Sequence, residues 1–247
     1  MIKLGTVSVP GQDKNGDQKQ NQDCAVDFYD GELAIIVVCD GAGSKTFGGV
    51  GSNYLCRVLI RHLRLTKPSD QVIFRETIET AIDSFRCVIE RLCRQKNLKV
   101  TLEDFACTMM VCFRQIYADR TLNYCAHLGD GAIFYLDNAF ENAEFVSLPE
   151  NGEYANQTYF VTDENWLDHL RIHSPPDEAL NLILMTDGVT PMALKNNEPF
   201  FDFVRPLMSF LDNSSSHEGG QSLAKMLSSK KSMAISPDDK SVGWFIN

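Results

Sequence analysis

Three apolar segments of this chain end in Asp-Gly, and this recurrence limits how the chain can fold. The first, LAIIVVCDGAGS at residues 33–44, is apolar almost without a break up to Asp40. A continuous Ile/Val-rich run predicts a strand that is buried on both faces. AHLGDG and LILMTDG place Asp130 and Asp187 at the same position after their own apolar runs. Each acid alone would also fit a simple Asp-Gly turn.

More acids stand at predicted strand edges. Asp23 precedes one strand, and the pair Asp238 and Asp239 precedes the last one. If these strand ends converge, the carboxylates repel one another and destabilise the fold unless something compensates. Hard divalent cations take oxygen ligands and need neither His nor Cys. The sequence therefore predicts a magnesium or manganese site rather than a zinc site.

Composition excludes several other classes of protein. With a formal net charge of −10, the 247-residue chain repels nucleic acid and anionic membranes. No apolar stretch is long enough to span a bilayer and no long apolar segment follows a basic start, so we expect neither a membrane span nor a secretory signal. The eight Cys form no C-x-x-C pair, so we expect reduced, buried thiols in a cytoplasmic protein, with a catalytic Cys as the minor alternative. No Walker loop, dinucleotide fingerprint or G-x-S-x-G motif occurs.

The order of predicted elements favours one α+β domain over residues 1–247. Helices do not alternate with every strand, so a mostly antiparallel sheet fits better than a doubly wound parallel one. Asp30-Gly31 predicts a hairpin, and the serine-rich segment 212–220 reads as a surface linker. Helices are predicted over 49–65, 70–96, about 200–211 and 218–229, with a short piece near Trp166; strands are predicted over 24–29, 33–39, 105–113, 122–128, 132–136, 143–148, 157–162, 182–186 and 241–246.

Taken together, the motifs resemble those of the metal-dependent type 2C protein phosphatases. NQDCAVD, VVCDGAGS, ACTMMV, CAHLGDGAIFYL, LILMTDG and DDKS occur in the order and spacing of that family. DGAGS and GEYANQTYFVT are most similar to a compact bacterial branch. The resemblance implies a four-layer αββα sandwich, in which two mostly antiparallel sheets are flanked by helices, with two Mg²⁺ or Mn²⁺ ions at one end.

The resemblance also implies roles for individual residues. Asp40 matches the carboxylate that bridges both metals, and Gly41 matches the residue whose carbonyl binds the second. Asp187 and Asp238 match the remaining carboxylates of the first metal. The other matches are Asp23, whose counterpart holds metal-bound waters, and Asp130, whose counterpart joins a third metal in some members.

The chain departs from the family pattern at five positions. The final motif is DDKS rather than the commoner DN-type, which leaves Asp239 as an extra candidate ligand. The usual phosphate-binding Arg aligns with about Gln18, and Lys19 or Lys45 is expected to substitute. The acidic partner of Asp23 is Gln22. Ala42 stands where some members have a His that acts as a general acid. The second acid of a third metal site falls near Pro191, which puts that site in doubt.

The implied function is hydrolysis of phosphoserine and phosphothreonine in proteins by a water activated between two divalent metals. Asp40, Asp187 and Asp23 are the predicted catalytic residues. The expected partner is a phosphorylated protein, with an opposing Ser/Thr kinase, and the chain is expected to be a monomer. Two alternatives stay open: a pseudophosphatase that binds phosphoproteins without turnover, and a hydrolase of small phosphate esters.

Overall fold

The two faces of the strand over 33–39 are buried against different layers. In a computed structural model, which describes residues 2–95, 99–152, 158–176 and 179–247, Leu33, Ile35 and Val37 pack with helices. The alternating residues Ile36 and Val38 pack against a second sheet. Because side chains alternate across a strand, only a strand between two apolar layers is apolar throughout. The sequence pattern therefore reports a central strand.

Two five-stranded sheets lie face to face, and every strand pair in them is antiparallel. The strands are β1 Lys3–Val9, β2 Cys24–Tyr29, β3 Leu33–Cys39, β4 Met109–Ile116, β5 Thr121–Leu128, β6 Ala132–Leu136, β7 Ala143–Ser147, β8 Arg171–His173, β9 Asn181–Met185 and β12 Lys240–Ile246, with a separate hairpin of β10 Leu194–Lys195 and β11 Glu198–Pro199. The first sheet has the order β2-β3-β4-β5-β8 and the second the order β1-β12-β9-β6-β7.

Helices cover the outer faces of both sheets and give the predicted αββα order. Two long helices bury Leu55, Leu59 and Phe85 on the first sheet. The C-terminal helices bury Met208 and Leu223 on the second sheet. The helices are α1 Gly48–Thr66, α2 Gln71–Gln95, α3 Thr190–Ala193, α4 Phe201–Asp212, α5 Ser216–Leu227 and α6 Lys230–Ile235. The α+β prediction is confirmed.

Several element predictions need correction. The strand predicted over 105–113 begins only at Met109, because Leu102–Phe105 forms a 3₁₀ helix with a capping box at Thr101. The strand predicted over 157–162 is not found in the described residues. Gln157 lies outside them, and residues 158–162 form only an isolated bridge through Thr158. There the backbone carbonyl of Val161 accepts from Arg86 of α2 instead of a strand partner.

The serine-rich segment is only partly a linker. Ser215 caps α5 by accepting a hydrogen bond from the Glu218 N–H, so the helix begins at Ser216, inside the predicted linker. β1 and β8 were not predicted as strands. Residue 96, the predicted last residue of the second helix, lies outside the described residues. In the described parts of the chain, no helix has the length and apolarity to cross a bilayer.

Candidate metal centre

Strand ends from both sheets bring three carboxylates together. Asp40 follows β3, Asp130 follows β5, and Asp187 follows β9. One oxygen from each carboxylate lies within 4.8 Å of the others. All three side chains are half-buried at one end of the sandwich. The recurrence of Asp-Gly in the sequence thus corresponds to one cluster in space.

The cluster forms the floor of a polar cavity of about 310 Å³. Six other residues singled out in the sequence line it: Lys19, Gln22, Gly41, Ala42, Asp238 and Asp239. Thr108, Thr158 and Phe160 complete most of the wall. Pro191 lies outside this lining, so the position expected for a second acid of a third metal site contributes nothing here.

Repulsion among the acids shows in their pKa values. Burial is the main cause that raises the pKa of Asp40, and the charges of Asp23, Asp187 and Asp130 add to it. Burial and the charge of Asp187 raise the pKa of Asp130 to about 6. Burial and the charge of Asp238 raise the pKa of Asp187. Each of these carboxylates makes ionisation of its neighbours less favourable, whereas a stabilising ion-pair network would favour the ionised forms.

The donor set fits a hard divalent cation. The Oδ1 atom of Asp130 is buried and accepts no hydrogen bond from the described residues. Clustered carboxylate oxygens with an unused acceptor suit Mg²⁺ or Mn²⁺, and a cation would remove the repulsion that raises the pKa values. No His or Cys joins this cluster among the described residues, which argues against zinc.

Asp23 lies behind the cluster rather than in the cavity wall. It is almost completely buried, and its Oδ2 accepts a hydrogen bond from the Thr186 hydroxyl at 2.9 Å. Burial, with a smaller contribution from the charge of Asp239, raises the pKa of Asp23 to about 7. A carboxyl group with this pKa can hold or release a proton beside Asp40 near neutral pH.

Asp239 holds two backbone segments in place. Its Oδ1 accepts from the Gly11 N–H at 2.6 Å, and its Oδ2 accepts from the Gln22 N–H at 2.7 Å. Its backbone carbonyl approaches Gly188 so closely that a Cβ at that position would overlap it. Asp238, the neighbouring acid, is exposed to the cavity, and its Oδ1 lies 3.5 Å from the Lys19 Nζ.

Gly41 allows the loop after β3 to pass close to the start of α1. A Cβ at Gly41 would overlap the backbone of Gly48 and the carbonyl of Gln22. The next residue, Ala42, donates a backbone hydrogen bond to Ala106 at 2.9 Å and presents no titratable group. The predicted backbone ligand therefore lies in a loop where the structure requires glycine.

Several residues that build the site carried no signal of their own in the sequence. Asp40 donates its N–H to the Thr108 hydroxyl at 3.1 Å, and Thr108 donates its N–H to the Asp40 carbonyl at 2.8 Å. Thr186 donates to Asp23, and Ser241 donates its N–H to the Thr186 hydroxyl at 2.9 Å. An isolated Thr or Ser at a strand end has no distinctive spacing, so only the structure identifies these contacts.

Lys240 is a fully buried cation next to the acidic loop. Its Nζ donates to the carbonyls of Ser236 at 2.7 Å and Asp238 at 2.8 Å. Both the burial and the hydrogen bonds show that Lys240 fixes the conformation of the loop that carries Asp238. The predicted DDKS motif therefore contains a structural lysine besides its acids.

Replacing Lys240 with methionine is expected to lower the free energy of unfolding by about 2 kcal/mol. Each hydrogen bond from a charged donor contributes about 1.5–3 kcal/mol, and the removal of a buried charge partly offsets the loss. Urea denaturation measures the change. Lys19→Met is the matched control, because Lys19 is exposed and only pairs with the Asp238 carboxylate. Equal stability of the two variants would contradict the role of Lys240.

The remaining candidates behave as packed residues. His127 is fully buried in β5, with its Nδ1 2.8 Å from the Ser147 hydroxyl, and burial holds its pKa well below the usual value. All eight cysteines are free, and six of them are buried. Lys45 pairs with Glu103 at 3.6 Å, which leaves Lys19 as the lysine in the cavity lining.

The chain is similar to known protein phosphatases. The sequence profile of the family described as Protein phosphatase 2C matches residues 11–228. Serine/threonine-protein phosphatase 3 of Escherichia coli (strain K12) is 26% identical over 182 residues, which cover 72% of this chain and 69% of that protein.

Solved structures share the fold at low sequence identity. A serine/threonine phosphatase from Staphylococcus aureus matches with a TM-score of 0.68 at 14% identity, covering 100% of this chain and 95% of that one. PppA, a key regulatory component of T6SS in Pseudomonas aeruginosa, matches with a TM-score of 0.63 at 17% identity, covering 99% and 96% of the two chains. The profile match over most of the sequence establishes that the chain belongs to the protein phosphatase 2C family.

Proposed function

We propose that this protein is a metal-dependent phosphatase that hydrolyses phosphoserine and phosphothreonine in proteins. The observation that carries the proposal is the cluster of Asp40, Asp130 and Asp187, whose carboxylate oxygens lie within 4.8 Å of one another. Family membership and the names of the relatives support the same reaction. The catalytic unit is proposed to be a single domain over 1–247 that works as a monomer opposite a Ser/Thr kinase.

The proposed metal ligands are the cavity-lining carboxylates and one carbonyl. Asp40 would contact both of two Mg²⁺ or Mn²⁺ ions, Gly41 would offer its carbonyl, and Asp187 and Asp238 would complete the set. Asp130 has a free acceptor for a further ion. Asp239 is the weakest candidate, because both of its oxygens already accept backbone hydrogen bonds, although each keeps a second lone pair.

When bound, two such ions lower the pKa of a water and neutralise the phosphoryl oxygens. The chain's own residues position this chemistry. Thr108 and Asp40 exchange backbone and hydroxyl hydrogen bonds that hold the Asp40 carboxylate at the end of β3. In the metal-free protein, Asp23 can hold a proton directly behind it near neutral pH. Ala42 cannot donate a proton to the leaving oxygen, and solvent in the open cavity is the proposed source of that proton.

The reducing environment implied by the free cysteines supports a cytoplasmic location. None of the eight is in a disulfide, and a buried free thiol is typical of proteins in a reducing compartment. An intracellular phosphoprotein is therefore the proposed substrate.

The direct test is turnover of a phosphothreonine peptide with Mn²⁺, with Mg²⁺ and with excess chelator. We expect phosphate release only with metal. Metal binding in a calorimetric titration without any turnover would contradict the proposal and establish the pseudophosphatase alternative. A kcat/KM for a small aryl phosphate that exceeds the value for the peptide would instead favour a small-ester hydrolase.

Lys19 is proposed to bind the substrate phosphoryl group in place of the Arg that the family pattern has near the N-terminus. It lines the cavity next to Asp238, and an ammonium group there can pair with a substrate phosphoryl group. Lys19→Ala is expected to raise KM for the phosphopeptide about tenfold, the loss of roughly one charge-assisted contact. Lys45→Ala is the matched control, since Lys45 pairs with Glu103. A larger effect of Lys45→Ala would reverse the assignment.

A further inference from the structure

A second groove lies on the side of the molecule, away from the carboxylate cluster. It has a volume of about 610 Å³ and runs between β2 and α1. Val26 and Phe28 form its strand wall, and Ile60 and Leu65 are apolar residues of its helix wall. The groove shares no lining residue with the cavity that holds the acids.

The helix wall carries a row of cations. Arg57, Arg61 and Arg64 are exposed on α1 at spacings of four and three residues, and the exposed Lys67 follows at the C-cap of the helix. Such spacing places side chains on one face of a helix. None of the four forms an ion pair with any described residue, whereas Arg75 and Arg94 on α2 each pair with a glutamate. The Arg64 guanidinium lies over the Phe28 ring, 3.8 Å from its centroid.

The two acids in the groove lining are already engaged by other partners. Asp27 accepts a hydrogen bond from the Thr6 hydroxyl at 2.7 Å, on the face of β2 that turns away from α1. Asp30 accepts from the N–H groups of Glu32 at 3.1 Å and Leu33 at 2.9 Å in the hairpin turn. These hydrogen bonds leave both carboxylates charged, but the four cations of the lining outnumber its two acids, in a protein whose net charge is −10.

The strand wall is an open sheet edge. β2 is the first strand of its sheet and pairs only with β3 in the described structure. An edge strand presents unpaired N–H and C=O groups along its free side. A groove that offers these groups, apolar side chains and a row of cations matches an extended acidic polypeptide, which can add as a further strand.

We propose that the groove between β2 and α1 binds an extended acidic segment of a partner protein. Its carboxylates would face Arg57, Arg61 and Lys67, and its apolar side chains would contact Val26 and Phe28. A nucleic acid fits less well, because it cannot use the free backbone edge and is repelled by the net charge of −10. The proposal goes beyond the phosphatase reaction and does not depend on it.

The position of the groove would allow one partner to occupy both sites. α1 begins at Gly48, against the Gly41 loop, and the first groove cation, Arg57, follows nine residues later. At about 1.5 Å per helical residue, Arg57 lies roughly 14 Å along the helix from Gly48, the end that packs against the Gly41 loop. An extended segment of about four residues spans that distance at about 3.3 Å per residue.

Direct binding tests the proposal. The probe is a fluorescently labelled peptide of about eight residues in which glutamate alternates with valine, measured by anisotropy with chelator present. Arg57→Glu/Arg61→Glu is expected to weaken binding about tenfold or more. The matched control, Arg91→Glu/Lys225→Glu, makes the same charge change at exposed helix positions outside the groove and is expected to stay within about twofold. Circular dichroism verifies that both variants fold.

Two further measurements distinguish a polypeptide that adds to β2 as a strand from other ligands of the groove. N-methylation of alternate peptide bonds in the probe removes backbone donors, and we expect it to weaken binding if the segment adds to β2 as a strand. Equal loss of affinity in the groove and control variants would overturn the proposal, and so would full competition by an oligonucleotide of equal charge. The probe has no phosphoryl group and the assay has no free metal, so failure here is distinct from a lack of phosphatase activity.

Discussion

Asp40→Asn is expected to lower kcat by about 10³-fold or more and, at the same time, to raise the melting temperature of the metal-free protein. The two effects have one cause. Asp40 is the carboxylate proposed to contact both metals, and removing one such ligand removes most of the catalysis that metals supply. Without metal, however, burial and the charges of Asp23, Asp187 and Asp130 make the ionised form of Asp40 costly in the folded state. The neutral amide removes that cost.

The measurement pairs steady-state kinetics with thermal denaturation in chelator. A rise of a few degrees is expected, because about 1 kcal/mol shifts the melting temperature of a protein this size by roughly 2–4 °C. Asp83→Asn is the matched control, since it makes the same chemical change at an exposed position of α2. Retained activity of Asp40→Asn, or a lower melting temperature than that of wild type, would refute the account of the site.

Asp23→Asn is expected to stabilise the metal-free protein by an amount that grows with pH. The folded-state pKa of Asp23 is about 7, above its unfolded value of 3.8. Between these values the folded state binds more protons than the unfolded state, so the contribution of Asp23 to the free energy of unfolding falls as pH rises. Asparagine does not titrate, so the variant does not lose free energy of unfolding at this position as pH rises. The difference between variant and wild type should increase by about 2–4 kcal/mol from pH 4 to pH 7.

Urea denaturation in chelator at several pH values measures this difference. Comparing the two proteins cancels other titrations, such as that of His127, whose pKa is lowered by burial in both. Saturating Mn²⁺ should flatten the wild-type curve at neutral pH, because a cation takes the place of the protons. A stability difference that does not change with pH would contradict the raised pKa of Asp23.

The four-layer αββα order was implied only by the resemblance to the family. The local sequence was enough to predict a strand buried on both faces and acids at strand ends, because both follow from strong patterns. A strand that is apolar at every position, such as β3, requires apolar layers on both sides. Asp-Gly after such a strand marks a strand end, and Asp40, Asp130 and Asp187 do converge. These predictions needed only the residue types and their spacing.

Other features depend on contacts between distant segments and have no local signal. β1 is half-buried along most of its length and is recognisable as a strand only through its pairing with β12. The segment from Thr158 has strand-like residues, but Arg86 of α2 holds its backbone instead. The burial of Lys240 and the anchoring of Gly11 by Asp239 likewise appear only in three dimensions.

The place of β12 in its sheet has a consequence for how the protein is made. β12 lies between β1 and β9, although it comes after every other strand along the chain. Until it has emerged from the ribosome, β1 has no strand partner and Asp238 and Asp239 are not in position. Non-local pairing of this kind slows folding. The nascent chain therefore cannot complete the second sheet, or place Asp238 and Asp239 in the cavity wall, before β12 is complete.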